Sequence, residues 1–135
     1  MESKESPDAF FMQSALSLAR RGEGHTRPNP PVGAVIVNNG RIIGEGWHRR
    51  AGADHAEVAA IKNAQKRCKG SFTSEMSTST LYVTLEPCSR PGRVGACTDA
   101  ITKCGIRRVV YACADPNPKN RGRAQRILRK NGIEC

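Results

Sequence analysis

The sequence lacks long apolar stretches and any recognisable export signal. Both absences limit the classes of protein to which it can belong. No run of about 18 apolar residues occurs, which argues against a membrane-spanning helix. Residues 1–8 are polar and mixed in charge, without the basic start and apolar centre of a secretion signal. The six cysteines of this 135-residue chain are therefore more consistent with reduced thiols or metal ligands than with disulfides. These features predict a cytoplasmic protein with no membrane partner.

Acidic residues are also scarce in this chain. It has 12 Asp and Glu residues against 22 Lys and Arg residues, which gives a formal net charge of +10. Nucleic-acid binding, a phosphorylated small substrate and an ordinary solvated surface all explain such an excess. Many of the basic residues lie between positions 107 and 130, which suggests a local positive field but identifies no ligand.

The chain has the length of one domain, residues 1–135, and its expected elements alternate between helices and strands. Helices are predicted at 7–21, from 54 to about 69, at 97–104 and at 123–131, and strands at 32–37, 41–48, 81–85, 108–114 and from 133 onward. Asn39-Gly40 predicts a tight hairpin, Asp54 a helix N-cap with Glu57 as its capping-box partner, and segment 71–79 an exposed loop. This order predicts an α/β sandwich with helices on both faces of a mixed five-stranded sheet.

Four residues near the ends of these elements have the side chains of a catalytic zinc site. His55 lies at the start of the second helix, Cys88 follows the third strand, and Cys97 begins the next helix. Zinc accepts imidazole and thiolate ligands, and a catalytic site leaves its fourth position for water, whose pKa the metal lowers. Glu57 lies two residues from His55, so its carboxylate can face the same cavity and move protons from that water to a departing amine. Zinc deaminases of nucleobases use this combination of His, Glu and two Cys.

Each part of this pattern is weak when taken alone. His-x-Glu is a common surface pair, and free cysteines often behave as small core residues. A closed structural zinc site would need a fourth ligand, for which the sequence offers Cys68, Cys104 and Cys113. Because these three lie inside predicted elements or at their ends, we interpret them, with Cys135, as unreactive thiols. A catalytic site with one zinc ion is the favoured interpretation.

Five segments of the chain carry a resemblance to a known family. They are 27–37 (RPNPPVGAVIV), 44–48 (GEGWH), 55–57 (HAE), 82–89 (YVTLEPCS) and 115–118 (DPNP). With them the chain resembles the deaminase domain of the bifunctional deaminase/reductase of riboflavin biosynthesis. Eight residues separate Cys88 from Cys97, where many other cytidine-type deaminases have two, and this spacing is the most specific part of the resemblance. The resemblance covers nearly the whole chain and implies a three-layer cytidine-deaminase-like fold.

The resemblance also implies a reaction and a set of substrate contacts. The family deaminates a diaminopyrimidinone that bears a ribosylamino 5-phosphate, and it releases the corresponding aminouracil and ammonia. Arg90 and Arg93 lie on the long loop between the two cysteines, where guanidinium groups could bind the phosphate in a bidentate manner. By resemblance, the pyrimidine and ribose would be held by Asn29 and His48, and the sugar-phosphate side would be lined by Arg93, Asp115 and Asn117. Each of these polar residues also has a purely structural explanation, as a loop, strand-end or turn residue.

The chain departs from the family pattern in two places. Arg90 replaces a histidine and residues 94–96 replace Thr-Pro-Pro, which leaves a more flexible loop and bears on the exact substrate. The family's reductase domain would follow Ile133, so the sequence corresponds to a stand-alone deaminase with a separate reductase, a truncated product or a fragment. No Gly-x-Gly-x-x-Gly fingerprint occurs, and no nicotinamide cofactor is expected. A sheet edge left bare by a missing last helix would favour a homo-oligomer.

Two other functions compete with the riboflavin-pathway deaminase. The first is a nucleic-acid deaminase that resembles tRNA adenosine deaminases, which the charge of +10 favours and the long cysteine spacing disfavours. The second is a non-catalytic remnant of the fold that binds a partner, which the intact set of His55, Glu57, Cys88 and Cys97 disfavours. A small phosphorylated pyrimidine is therefore the expected partner of the site, ahead of nucleic acid.

Overall fold

The structure is a computed structural model that describes residues 6–89 and 96–135. Within these residues the helices are α1 (Pro7–Arg20), α2 (Ala56–Cys68), α3 (Phe72–Met76), α4 (Cys97–Cys104) and α5 (Arg123–Lys130), with a short 3-10 turn at Lys69–Ser71. The strands are β1 (Gly33–Asn38), β2 (Arg41–Trp47), β3 (Thr80–Leu85) and β4 (Arg108–Cys113). No helix of the described part is both long enough and apolar enough to cross a membrane.

The strands form one mixed sheet in the order β2-β1-β3-β4. Strand β1 runs antiparallel to both of its neighbours, and β3 and β4 run parallel. Helix α1 packs on one face through Phe11 and Leu18, while buried residues of α2, α4 and α5 cover the other face. The predicted three-layer α/β sandwich is thus confirmed.

The predicted fifth strand is wrong for the part of the chain that the structure describes, where the sheet has four strands. Residues 133–135 contribute a single parallel bridge between Glu134 and Arg108. The amide of Val109 donates to the Glu134 carbonyl at 2.8 Å, and the Glu134 amide donates to the Arg107 carbonyl at 3.0 Å. One bridged residue does not make a ladder, so β4 forms the edge of the sheet.

Two glycines of β2 allow α2 to lie unusually close to the sheet. A Cβ atom on Gly44 would lie 2.6 Å from the Ala60 carbonyl oxygen, and one on Gly46 would lie 2.6 Å from the Ala56 carbonyl oxygen. Helix α2 matches them with alanines, since Ala56, Ala60 and Ala64 are completely buried. This backbone-to-backbone contact fixes the first turn of α2, which carries two of the predicted site residues.

The start of α2 differs from the predicted cap. His55, not Asp54, is the N-cap residue, and it makes no side-chain capping hydrogen bond. Asp54 pairs instead with Lys62 at 2.7 Å. Glu57 is buried and lines a cavity, so it does not act as a capping-box partner. The capping prediction is wrong because the cavity, and not the helix end, determines where the Glu57 side chain lies. Local sequence rules do not take such a cavity into account.

The segment predicted as an exposed loop, 71–79, contains α3. Met76 is completely buried in the main core, and Phe72, one helical turn before it, packs against the same cluster. The Ser71 hydroxyl donates to the Glu75 carboxylate at 2.6 Å and tightens this turn. The segment was predicted as a loop because it is rich in Ser and Thr. The apolar pair Phe72 and Met76, spaced i and i+4, is nevertheless typical of an amphipathic turn.

An ion-pair cluster forms around Asp8 in the first turn of α1. The Arg108 guanidinium donates to both carboxylate oxygens of Asp8, at 3.0 and 2.7 Å, and the Tyr82 hydroxyl donates to Asp8 at 2.6 Å. The hydrogen bond from Arg108 keeps the pKa of Asp8 below its usual 3.8. Burial and the bond to Asp8 raise the pKa of Tyr82 to about 12. The cluster links α1 to β3 and β4.

Candidate metal centre

Three element ends bring the predicted metal ligands together on one side of the sheet. His55 caps α2, Cys88 lies three residues after the end of β3, and Cys97 is the first residue of α4. The Nδ1 atom of His55 lies 3.2 Å from Sγ of Cys97 and 3.5 Å from Sγ of Cys88. All three ligand atoms lie within 4.8 Å of one another.

This donor set fits zinc. A tetrahedral zinc ion with bond lengths of about 2.0 Å to nitrogen and 2.3 Å to sulfur holds those atoms about 3.5 Å apart. The two nitrogen-to-sulfur distances, 3.2 and 3.5 Å, match this edge closely. One imidazole and two thiols form the three-ligand set of a catalytic site, in which the fourth position stays open.

Without a metal, hydrogen bonds within this cluster decide where the protons lie. The hydrogen bond from the Cys97 side chain, together with that from His55, lowers the pKa of Cys88 to about 4, so that Cys88 is a thiolate. The backbone amide of Cys97 also donates to Sγ of Cys88 at 3.2 Å. The same bond to Cys88, followed by burial, raises the pKa of Cys97, and the Cys88 thiolate raises the pKa of His55. One thiolate ligand is thus already present in the cluster, and metal binding would release the Cys97 proton and any proton on the ligating nitrogen of His55.

Glu57 supplies a carboxyl group beside these ligands. It stands in the first turn of α2 and is only 4% exposed. Burial raises the pKa of Glu57 to about 7. A carboxyl group that titrates near neutral pH can both accept and donate a proton, which is the requirement for general acid–base catalysis.

The ligands open onto a cavity of about 300 Å³. Its wall includes Glu57, His55 and Cys88 on the metal side. The other polar groups that line it are Asn29, His48, Glu86 and Asp115. Apolar side chains such as Val32 and Leu85 complete the wall. A mainly apolar cavity with a few converging polar groups is typical of a site for a small molecule.

Hydrogen bonds fix the orientation and tautomer of His48 in this cavity. Its Nδ1–H donates to the Asp54 carbonyl oxygen at 3.1 Å, which leaves Nε2 to accept from the Asn29 side-chain amide at 3.2 Å. The Thr26 hydroxyl donates to the Asn29 carbonyl oxygen at 2.7 Å and holds the loop in place. His48 is 2% exposed, and its ring lies edge-on to that of His55 with 5.3 Å between centroids. The ring is therefore held rigidly beside a metal ligand.

The family of this chain was identified by comparison with known proteins. Residues 5–113 match the family model described as the cytidine and deoxycytidylate deaminase zinc-binding region. The chain belongs to this deaminase family. Membership confirms the prediction of a zinc-dependent deaminase domain, and His55, Cys88 and Cys97 form a group that can hold the metal ion.

Individual relatives of this deaminase agree with that assignment. It is 50% identical to the riboflavin biosynthesis protein RibD of Aquifex aeolicus over 94% of this chain and 33% of the relative. It is 46% identical to the diaminohydroxyphosphoribosylamino-pyrimidine deaminase of Buchnera aphidicola subsp. Schizaphis graminum, over 93% of this chain and 80% of the relative. The solved structure of Acinetobacter baumannii RibD superposes with a TM-score of 0.84 at 44% identity, over 95% of this chain and 34% of that chain. The deaminase thus spans about a third of the length of the RibD relatives it matches.

The structure brings some of the other predicted site residues to the cavity of the deaminase and not others. Asn29, His48 and Asp115 line it. Asn117 is exposed and lies outside the described cavity wall, and its side-chain oxygen accepts from the Lys119 amide at 3.0 Å within a turn. Two predicted phosphate-binding residues, Arg90 and Arg93, lie outside the residues that the structure describes. Their contacts remain predictions.

One residue at the cavity of the deaminase was missed by reasoning from sequence alone. Glu86 lies within segment 82–89, and no role of its own is predicted for it, yet it is 5% exposed and lines the cavity. The available signal was a carboxylate placed directly after the apolar run 81–85, where an unpaired charge would be costly. Such a position requires hydrogen-bond partners, although the sequence does not show which ones.

Proposed function

We propose that this chain converts 2,5-diamino-6-(5-phosphoribosylamino)pyrimidin-4(3H)-one and water into 5-amino-6-(5-phosphoribosylamino)uracil and ammonia, in riboflavin biosynthesis. The observation that carries the proposal is the convergence of His55, Cys88 and Cys97 with the buried Glu57 on one cavity. The substrate is suggested by the relatives, since the Buchnera protein is named for this deamination and is matched over 80% of its length.

The metal ligands and Glu57 have separate roles in hydrolytic deamination. Zinc held by the three ligands would lower the pKa of a water molecule towards neutrality and supply a nucleophile. Glu57 accepts the proton of the attacking water and delivers it to the ring nitrogen next to the reacting carbon. It then takes a second proton, from the hydroxyl group that the water has added to the carbon, and transfers it to the amine. The carbon–nitrogen bond breaks to release ammonia as the carbonyl group forms. A carboxyl group with a pKa of about 7 is suited to moving protons in both directions.

The pyrimidine would be oriented by Asn29 and His48. Because the Nε2 atom of His48 accepts one hydrogen of the Asn29 amide, the amide oxygen and the second hydrogen remain to be offered to a ring edge. Asp115 lines the same cavity, where it can accept hydrogen bonds from ribose hydroxyl groups. We assign the phosphate to Arg90 and Arg93 on the basis of the family resemblance.

We also infer a reductase that acts next, because the RibD relatives are about three times longer than this chain and a solved relative from Thermotoga maritima is named as both deaminase and reductase. That reductase would be a further domain or a separate protein. We infer a cytoplasmic location from the six free cysteines, which suit a reducing compartment. The exposed edge of β4 is the surface through which a homo-oligomer would form. Cross-linking and mass measurement at several concentrations would test the oligomer.

The competing function is deamination of nucleic acid of the tRNA adenosine type, which the charge of +10 favours. The zinc-loaded chain should be incubated separately with the phosphorylated diaminopyrimidinone and with tRNA, and ammonia release should be measured. We expect release with the pyrimidine alone and none from Glu57→Gln. Release only with tRNA would overturn the proposal, and release with neither would favour a non-catalytic domain.

A further inference from the structure

We propose that Glu86 is a positioning residue that holds one wall of the cavity in register with the metal centre. Through that wall it sets the affinity for the sugar-phosphate half of the substrate. The part of this proposal that concerns substrate affinity rests on the proposed function. The part that concerns the wall rests on geometry alone.

Glu86 lies where the sheet meets the metal centre. It directly follows β3, and its amide donates to the Cys113 carbonyl oxygen at 2.8 Å, which extends the parallel pairing with β4 by one residue. The metal ligand Cys88 is two residues further along the chain. The backbone of Glu86 is therefore fixed by the same sheet that places the ligand.

The carboxylate of Glu86 accepts hydrogen bonds from three backbone amides of a different segment. Its Oε1 accepts from the amides of Asp115 and Gly122, at 3.0 and 3.1 Å, and its Oε2 accepts from the amide of Ala124 at 3.2 Å. None of the ion pairs in the described part of the chain involves Glu86. A carboxylate that is 5% exposed is thus stabilised by main-chain donors, two of which lie at the positive end of α5.

The segment between these amides behaves as one unit. The Asp115 carboxylate accepts from the Asn117 amide at 2.9 Å, and the Asn117 carbonyl oxygen accepts from the amides of Asn120 and Arg121, both at 3.0 Å. The Arg121 guanidinium donates back to the Asp115 carbonyl oxygen at 3.2 Å. Glu86 holds this loop at both ends, so loss of its carboxylate would displace the loop as a whole.

The loop forms part of the cavity wall. Asp115 and Pro116 line the cavity, and residues 117–121 follow them in the chain. The ligand cluster has its own contacts, since Sγ of Cys88 is approached by His55 and by the Cys97 amide. A change at Glu86 should therefore weaken substrate binding while metal binding and the chemical step persist.

The test is Glu86→Gln, which keeps the shape of the side chain but replaces one acceptor oxygen with a donor. Its control is Glu23→Gln, the same substitution at an exposed residue away from this cavity. We expect faster hydrogen exchange at the amides of Asp115, Gly122 and Ala124, a KM for the phosphorylated pyrimidine raised about tenfold, and little change in kcat or zinc content. The control should match the wild type in every measurement.

Unchanged exchange at the three amides would overturn the positioning role. Faster exchange with an unchanged KM, or with a kcat that falls as far as KM rises, would overturn the link to substrate affinity. If Glu86→Gln does not fold, Glu86→Asp keeps the charge at shorter reach and should give intermediate exchange and KM; wild-type values there would count against the proposal. If the wild-type chain does not turn over the pyrimidine, the proposed function fails, and the exchange measurement still decides the role of Glu86 in the wall.

Discussion

Replacing Gly46 with alanine should show how strongly the site depends on the close packing of α2 on β2. The added Cβ would lie 2.6 Å from the Ala56 carbonyl oxygen and 2.8 Å from the Ala59 carbonyl carbon, and backbone atoms cannot rotate away. The amide nitrogen of Ala60 lies nearer still, so a retreat of α2 by about 1 Å would be needed to restore ordinary contact. We expect this overpacking to cost about 1–3 kcal/mol of unfolding free energy. Because His55 caps α2 and Glu57 lies in its first turn, the same retreat should also weaken zinc binding.

Urea denaturation should measure the change in stability, and competition with a chelator should measure zinc affinity. The control is Gly70→Ala, because a Cβ on Gly70 meets nothing within 4 Å and this variant should resemble the wild type. Catalytic turnover should fall by as much as about a hundredfold, since a displacement of about 1 Å can have that effect on catalysis. Wild-type stability and zinc affinity in Gly46→Ala would refute this reasoning about helix placement.

Three further variants test separate parts of the molecule. Glu57→Gln should keep zinc but lose about two to four orders of magnitude in kcat, because the proton carrier is gone; normal ammonia release would contradict that role. Cys88→Ala should bind little zinc and unfold at lower urea concentration, and full zinc occupancy by metal analysis would contradict its assignment as a ligand. Asp8→Asn should be less stable than the wild type at neutral pH, because the bond from Arg108 lowers the pKa of Asp8 in the folded state. That stabilisation is complete above pH 3.8 and is lost as pH falls through the lower pKa of Asp8 in the folded state. If the urea midpoints of the variant and the wild type still differed below that folded pKa, the result would argue against this explanation.

Sequence reasoning succeeded where local chemistry and tertiary structure agree. Helix α1 begins at Pro7, as predicted. The Ser6 hydroxyl accepts from the Ala9 amide at 3.1 Å, which is the N-cap hydrogen bond that a Ser-Pro-Asp pattern indicates. Helix α4 ends as predicted before Gly105, whose φ of 78° lies in the left-handed region that favours glycine. The three candidate metal ligands come together as predicted, because their residue types are rare in combination and their elements could be placed.

Sequence reasoning failed where the tertiary environment decides. Glu57 has the spacing of a capping-box partner, yet burial directs it into the cavity instead. The hydrogen bonds of Glu86 reach residues 29 to 38 positions away, and no short-range pattern indicates such a link. A fifth strand was expected from an apolar start at Ile133, but pairing requires a partner edge and several residues in register.

The cluster of Asp8, Tyr82 and Arg108 has a consequence for the order in which this fold forms. Its bidentate ion pair joins residues 100 positions apart, so it can close only after α1 has docked on a sheet that already contains β3 and β4. Contacts of such long range form after the transition state when the nucleus is built from nearer segments. Loss of the pair would then speed unfolding and leave the folding rate nearly unchanged. The cluster would therefore determine how long the native state lasts and have little influence on how fast it is reached.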